Sequence, residues 1–317
     1  MDTTFTQYVN SKIKTQFAKY SNSVIFGQNI VAGSRISGLG AELENIEGTT
    51  AINTTNSENS LMGLGFGLAL SGIPSIFIMK QHDFALLGID QLTNTANVLK
   101  EGRMSAPFIV LMVVVDSGYE GPQASLSSLD EFASITRSPV HFLSTKESID
   151  LAFKNAQNPG LHFLALSQQN MKLKLNSSLS KITEFDGALL YKNINQGSNV
   201  KKIAIVFYGV NIAIAKEIKN DLDQIDYAAD LIIMTRLEKQ NFNSDLVSTL
   251  MEYEHIIILD TGKSEIHFST ELAWHLMRSG KRVDKFHRSS SNKWSEVNSD
   301  ELEFNPRQIA ELFGKGI

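Results

Sequence analysis

Helices alternating with apolar strands along most of the 317 residues predict an α/β protein built from two doubly wound domains with mostly parallel sheets. Three observations carry this prediction. Several candidate strands are unbroken apolar runs, the clearest being Phe108 to Val115 (FIVLMVVV), as a strand covered on both faces requires. Between them lie segments of helical length whose apolar residues recur every three or four positions. The length suits two domains at roughly 100 to 200 residues each, and a composition 42% hydrophobic and 20% charged excludes wholesale disorder, a collagen-like fibre and a coiled-coil rod.

The elements follow in order. Phe5, Val9, Ile13 and Phe17 mark an amphipathic helix over 3–20, with Lys12, Lys14 and Lys19 off that face. A strand at 23–27 follows, then a polar stretch. Next come helix 59–71, strand 75–79, helix 84–99, strand 107–115 and a loop over 116–128. A short helix at 129–135, strand 139–143, helix 146–156 and strand 161–166 complete a first domain over 1–170. The stretch 171–200 loses periodicity, is rich in Asn, Ser and Lys, and reads as a linker. A smaller domain of the same class over 201–317 then runs strand 202–208, helix 211–224, strand 229–234, helix 244–251, strand 255–260, helix 267–279 and strand 281–286. It is expected to end in a helix over 306–313, with Asn305 as cap and Pro306 at the first helical position.

Charge and composition narrow the function. With 29 Lys plus Arg against 34 Asp plus Glu, the net charge of −5 gives no reason to expect nucleic acid or acidic lipid as a partner. The absence of cysteine excludes disulfides, thiolate metal sites and thiol nucleophiles. The amino terminus has no signal-peptide pattern, so a cytoplasmic location is expected. The uncharged window from Leu61 to Met79 approaches the roughly 20 residues of a membrane span, but Gly72-Ile73-Pro74 breaks it into a glycine-rich helix, a turn and a strand.

Three constellations could carry chemistry. Asn56-Ser57-Glu58 opens the helix that holds Gly63, Gly65 and Gly67. Thr55-x-x-Glu58 fits a capping box, yet each helical glycine costs about 1 kcal/mol relative to Ala, so the close approach of a ligand or a second chain should offset them. Asp83-Phe84 with Asp90-Gln91-x-x-Asn94 fits an exposed helix face or a site. Asp116 to Ser125 (DSGYEGPQAS) is a long loop after a buried strand, the position at which parallel sheets bind ligands. His141, His162, His255, His267, His275 and His287 show no ligand spacing, so no metal is assigned to this chain alone. Arg35, Lys80 and Arg103 suit an anionic substrate or ordinary solvation.

In this order and spacing the three constellations resemble the pyrimidine-binding domain of thiamine-diphosphate enzymes of the transketolase kind, in particular the β subunits of two-chain 2-oxo acid dehydrogenase first components. The matching residues are Val24 to Gly27 followed by Gln28-Asn29, Glu58 before a glycine-rich helix, Asp83-Phe84 with Asp90-Gln91-x-x-Asn94, and Gly121-Pro122-Gln123. The likeness spans nearly the whole chain, because those subunits also end in a smaller α/β domain. It implies that Glu58 is the catalytic acid that protonates the cofactor's aminopyrimidine, in an apolar and water-poor setting. Gln28, Asn56, Gln81 and Phe84 would join it in binding the cofactor, and His82, Gln123 and Ala124 would lie toward substrate.

The Gly-Asp-Gly and downstream Asn that hold the diphosphate and Mg²⁺ in the family are absent; Asp186-Gly187 lacks the leading Gly. The resemblance therefore implies a diphosphate-binding, α-like partner chain that holds the diphosphate and the metal, in an α2β2 heterotetramer. The implied reaction decarboxylates a 2-oxo acid or cleaves a ketose and passes the carbon fragment to an acceptor. Three positions depart from the family pattern: Gln28 replaces a glutamate, Gln81 a ring-stacking aromatic and Ala124 a histidine. Lipoamide is therefore not expected as the main acceptor. A transketolase-like or carboligase subunit stays open, as does a non-catalytic assembly or regulatory subunit with a decayed site.

Overall fold

The computed structural model describes residues 3–99, 102–116, 121, 123–124, 127–175, 182–193, 201–224, 227–239 and 245–287. The chain forms two compact units, one of Met1–Ser127 with Phe132–Asn176, the other of Ser128–Glu131 with Ser177–Ile317. Both are α/β, as the alternation predicts.

In the first unit, α1 (Phe5–Phe17) starts at a reciprocal capping box between Thr4 and Gln7. It buries Phe5, Val9, Ile13 and Phe17, the stripe read from the sequence. There follow β1 (Ser23–Gly27), β2 (Thr49–Asn53), α2 (Glu58–Leu70), β3 (Ser75–Met79), a 3₁₀ segment His82–Gly88, a π-helical turn Gln91–Thr95, α3 (Ala96–Leu99) and β4 (Pro107–Val114). The unit continues with α4 (Leu129–Thr136), whose first turn belongs to the second unit, then β5 (Val140–Phe142), α5 (Lys146–Asn155) and β6 (Gly160–Ser167). Its strands lie in the order β5-β6-β4-β3-β1-β2 and are all parallel. Every residue of β4 is buried, which is why its sequence is apolar without alternation. The chain leaves β1 for the edge strand β2 and returns past β1 to β3. The strand order thus reverses between β1 and β3, and beyond their carboxyl ends lies the crevice where such sheets take ligands.

Two expectations change here. β2 was hidden in the polar stretch because it is an edge strand, Thr-rich and mostly exposed, with no apolar run to announce it. The single helix expected over 84–99 is instead broken into 3₁₀, π and α turns. Gly88 ends the first of these where a Cβ would stand 2.7 Å from Met62 Cγ and 3.3 Å from the Glu58 carbonyl oxygen, so this irregular segment packs tightly on the start of α2. The apolar window Leu61–Met79 divides as read, with Gly72 at φ +75° in the turn between α2 and β3.

The second unit holds β7 (Ile182–Phe185), β8 (Ala188–Tyr191), β9 (Lys201–Tyr208), α6 (Ala213–Asp223), β10 (Tyr227–Met234), the short β11 (Arg236–Leu237), α7 (Asp245–Leu250), β12 (His255–Asp260), α8 (Phe268–Arg278) and β13 (Arg282–His287). Its sheet runs β13-β12-β9-β10-β8-β7. The first four are parallel, and β8 and β7 extend the sheet as an antiparallel hairpin. That hairpin lies inside the stretch read as a linker. Its outer strand is mostly exposed and polar, and its turn is Asp186-Gly187 with Gly187 at φ +82°, so neither strand shows a long apolar run. The helix expected over 306–313 lies outside the described residues. Among the described residues, no helix is long and apolar enough to cross a membrane.

Candidate functional site

The chain beyond the carboxyl ends of β1, β2 and β3 carries Gln28, Glu58 and Gln81, three of the residues singled out in the sequence. Gly27 ends β1 where a Cβ would stand 2.3 Å from the Ile78 carbonyl oxygen, so only glycine lets β1 lie this close to β3. Gln28 follows directly and is half-buried. The next turn is pinned by Asn53, the last residue of β2, whose Oδ1 accepts from the N–H groups of Ile30 (2.8 Å) and Val31 (3.0 Å). Asn53 is a positioning residue that the sequence did not reveal, because β2 itself was not legible.

Glu58 is the first residue of α2 and is 5% exposed. Gln28 Nε2 donates to its Oε1 at 3.3 Å. Oε2 makes no hydrogen bond among the described residues. The capping-box reading is corrected: the N-cap is Ser57, its side chain makes no cap bond, and Glu58 turns toward Gln28 rather than back onto the helix start. A carboxylate in the first turn still meets the favourable end of the helix dipole. Asn56 is exposed on the approach to the helix.

Gln81 follows β3, caps the 3₁₀ segment through its backbone position, and is 8% exposed. Gln28 and Gln81 thus stand just beyond the carboxyl ends of the two strands between which the order reverses. Phe84 is half-buried on the same 3₁₀ segment, next to buried Asp83. His82 is fully buried, and its ring meets Phe132 edge to face with centroids 5.1 Å apart. Asp90 and Asn94 pair with each other at 2.7 Å, and Thr95 donates to Gln91 at 2.8 Å, so these polar groups satisfy one another along the helix surface.

In the loop after β4, Asp116 is buried and accepts from Ser167 Oγ at 2.9 Å. Gln123 is exposed, whereas Ala124 is 6% exposed and its N–H closes a turn onto Gly121. A histidine at 124 would therefore have to displace its neighbours. Arg35 is engaged by Glu44 at 2.7 Å, while Lys80 and Arg103 are exposed.

The glycines of α2 serve different ends. A Cβ at Gly65 would sit 2.1 Å from Phe108 Cζ, so this glycine is explained by close packing of α2 on β4 within the unit. Gly63 has the Gln91 amide 3.8 Å away, and Gly67 has nothing within 4 Å. Leu64 and Leu70 are 44% and 43% exposed on the same helix. The offset expected for all three glycines is therefore internal for Gly65, whereas Gly67 faces open space.

No protein-family model matches the chain, and no curated protein matches it.

Proposed function

We propose that this chain is the pyrimidine-binding, β-like subunit of a split thiamine-diphosphate enzyme that acts on a 2-oxo acid or a ketose. The observation that carries the reading is the buried Glu58 carboxyl, opening a helix beside the strand-order reversal and held by Gln28 from the adjacent strand end. The residues fit the aminopyrimidine end of that cofactor: one buried carboxyl with a free oxygen, two amides at Gln28 and Gln81, and the half-buried ring of Phe84. When bound, thiamine diphosphate supplies the stabilised carbanion that such carbon-fragment transfers need.

The chain's own contribution is then to hold and move one proton. Gln28 Nε2 fixes Oε1 and leaves Oε2 of Glu58 to exchange a proton with a ring nitrogen. Gln81 offers an amide to the ring's polar edge in place of a stacking aromatic. The diphosphate and Mg²⁺ have no ligands of the family type in this chain, so a diphosphate-binding partner would supply them. The exposed strip of Leu64, Gly67 and Leu70 on α2 is the surface we assign to that partner.

The test is Glu58→Gln in the chain co-purified with a partner carrying Gly-Asp-Gly. An amide cannot donate and recover the ring proton, so turnover of a 2-oxo acid should fall about 10²- to 10⁴-fold with the fold retained. Turnover within about threefold of the unmodified enzyme would reduce Glu58 to a helix-start carboxylate.

A further inference from the structure

The second unit has its own reversal of strand order. From β9 the sheet extends to β10 on one side and to β12 on the other, so the carboxyl ends of β9 and β12 flank the position where open α/β sheets bind ligands. Tyr208 ends β9 and Asp260 ends β12. They are register partners on parallel neighbours, and their side chains therefore leave the same face of the sheet. His267, which caps α8, places Nδ1 3.2 Å from Asp260 Oδ2. Asp130 joins them from the stretch Ser128–Glu131 that belongs to this unit. One donor atom each from Asp130, Asp260 and His267 lies within 4.8 Å of the others, and all three residues are buried.

The ligating groups are held in place by their neighbours. Phe268 N–H donates to Asp130 Oδ1 at 2.8 Å, Gly262 N–H donates to Asp260 Oδ1 at 3.1 Å, and the Ser269 hydroxyl donates to Asp260 Oδ2. The second pointer to a ligand is Tyr208. Its hydroxyl is buried and makes no hydrogen bond among the described residues. Burial, followed by the charges of Asp260 and Asp130, holds that hydroxyl well above its ordinary pKa, which places it in the field of both carboxylates. A buried hydroxyl without a partner is costly in a folded chain.

The donor set points the same way. Two carboxyl groups and one imidazole, all buried, gather three donor groups in a setting with little water to solvate them. A cation placed among the three donors would be held by all of them and would give the Tyr208 hydroxyl a neighbour. We propose that Asp130, Asp260 and His267 form a binding site for one divalent transition-metal ion of the zinc class. An imidazole nitrogen with two carboxylate oxygens and one further position is the donor set of an open zinc site, whereas Mg²⁺ and Ca²⁺ favour oxygen alone. The inference does not rest on the thiamine reading. The sequence could not disclose it, because Asp130 is distant along the chain from the other two ligands and no His-x-x-x-His spacing marks it.

The experiment uses the full chain, freed of metal with a chelator and titrated calorimetrically with Zn²⁺ alone at about pH 8, where imidazole is neutral and carboxyl groups are ionised in water. The expected result is one Zn²⁺ per chain with a dissociation constant at or below about 1 µM. Asp130→Asn and His267→Gln, which preserve side-chain shape, should each weaken binding by at least about tenfold. His255→Gln, which alters the separate His255–Asp284 pair on β12 and β13, should leave it unchanged. Co²⁺ substitution adds a readout that does not depend on stability: a visible d–d band present in the unmodified chain and lost in Asp130→Asn. Binding weaker than about 100 µM, or unchanged affinity in both Asp130→Asn and His267→Gln, would overturn the site.

Discussion

Gln28 follows β1 and Glu58 opens α2 beyond the neighbouring strand β2, and their hydrogen bond brings into contact two residues that the family resemblance had grouped. The sequence could mark Glu58 because it opens a glycine-rich helix, but it could not show that the side chain turns away from the helix start. That outcome depends on the turn pinned by Asn53. A second residue, His162 on β6, was passed over for lack of ligand spacing, yet it makes a pH prediction. Its Nε2 lies 2.8 Å from the Asn158 carbonyl, and burial holds its pKa below the ordinary value, with the carbonyl opposing. The folded state therefore prefers the neutral ring. Its contribution to stability is complete above the unfolded value of about 6.5 and is lost as pH falls below that toward the depressed folded value. Groups elsewhere titrate equally in a His162→Gln variant and cancel in the comparison. The melting temperature of the unmodified chain should thus fall more steeply between about pH 7 and pH 5 than that of the variant. Parallel curves would show that burial does not disfavour the charged ring.

At the scale of the element, α2 carries two glycines with opposite reasons for being there. Gly65 faces the ring of Phe108, and any Cβ there overlaps it; Gly67 faces open space. Gly65→Ala should overpack the junction of α2 and β4 and cost about 2 to 3 kcal/mol, lowering the melting temperature by about 5 to 10 °C. Gly67→Ala should stabilise the isolated chain by about 0.5 to 1 kcal/mol through helix propensity, yet weaken association with the diphosphate-binding partner by about tenfold or more, because it fills the space at which a second backbone would approach. Paired melting curves and partner titrations check both. Unchanged partner affinity in Gly67→Ala would remove α2 from the proposed interface. The sequence could only note that helical glycines need a reason; which reason applies to which glycine depends on the strand packed beneath. The same limit hid the breaks in 82–99, since the contact between Gly88 and Met62 is tertiary. Elements with a buried, periodic or continuous apolar signal were legible in the sequence, β4 to within one residue and α1 to within two or three at its ends.

At the scale of the molecule, the two-unit α/β architecture follows from the alternation of apolar strands and amphipathic helices, while the hairpin β7–β8 escaped because an exposed outer strand needs little apolar sequence. What each unit lacks is as informative as what it holds. On the proposed reading the first unit would serve one end of a thiamine cofactor, and the chain has no Gly-Asp-Gly followed by Asn to take the other end. The diphosphate and its Mg²⁺ supply much of the charge in that ligand, and a buried carboxyl held by one amide would engage only the small pyrimidine ring. A ring-sized ligand gains at best about −1.5 kcal/mol per heavy atom, and in practice far less when its charged remainder is left in water. The chain alone should therefore show no saturable binding of thiamine diphosphate with Mg²⁺ below about 100 µM. The mixed complex with a Gly-Asp-Gly partner should bind it at about 1 to 10 µM, with Glu58→Gln weakening turnover more than binding. Calorimetry on the lone chain, the lone partner and the complex separates these cases. Micromolar binding by the lone chain would show that the site is complete within one polypeptide, and the exposed face of α2 would then need another occupant.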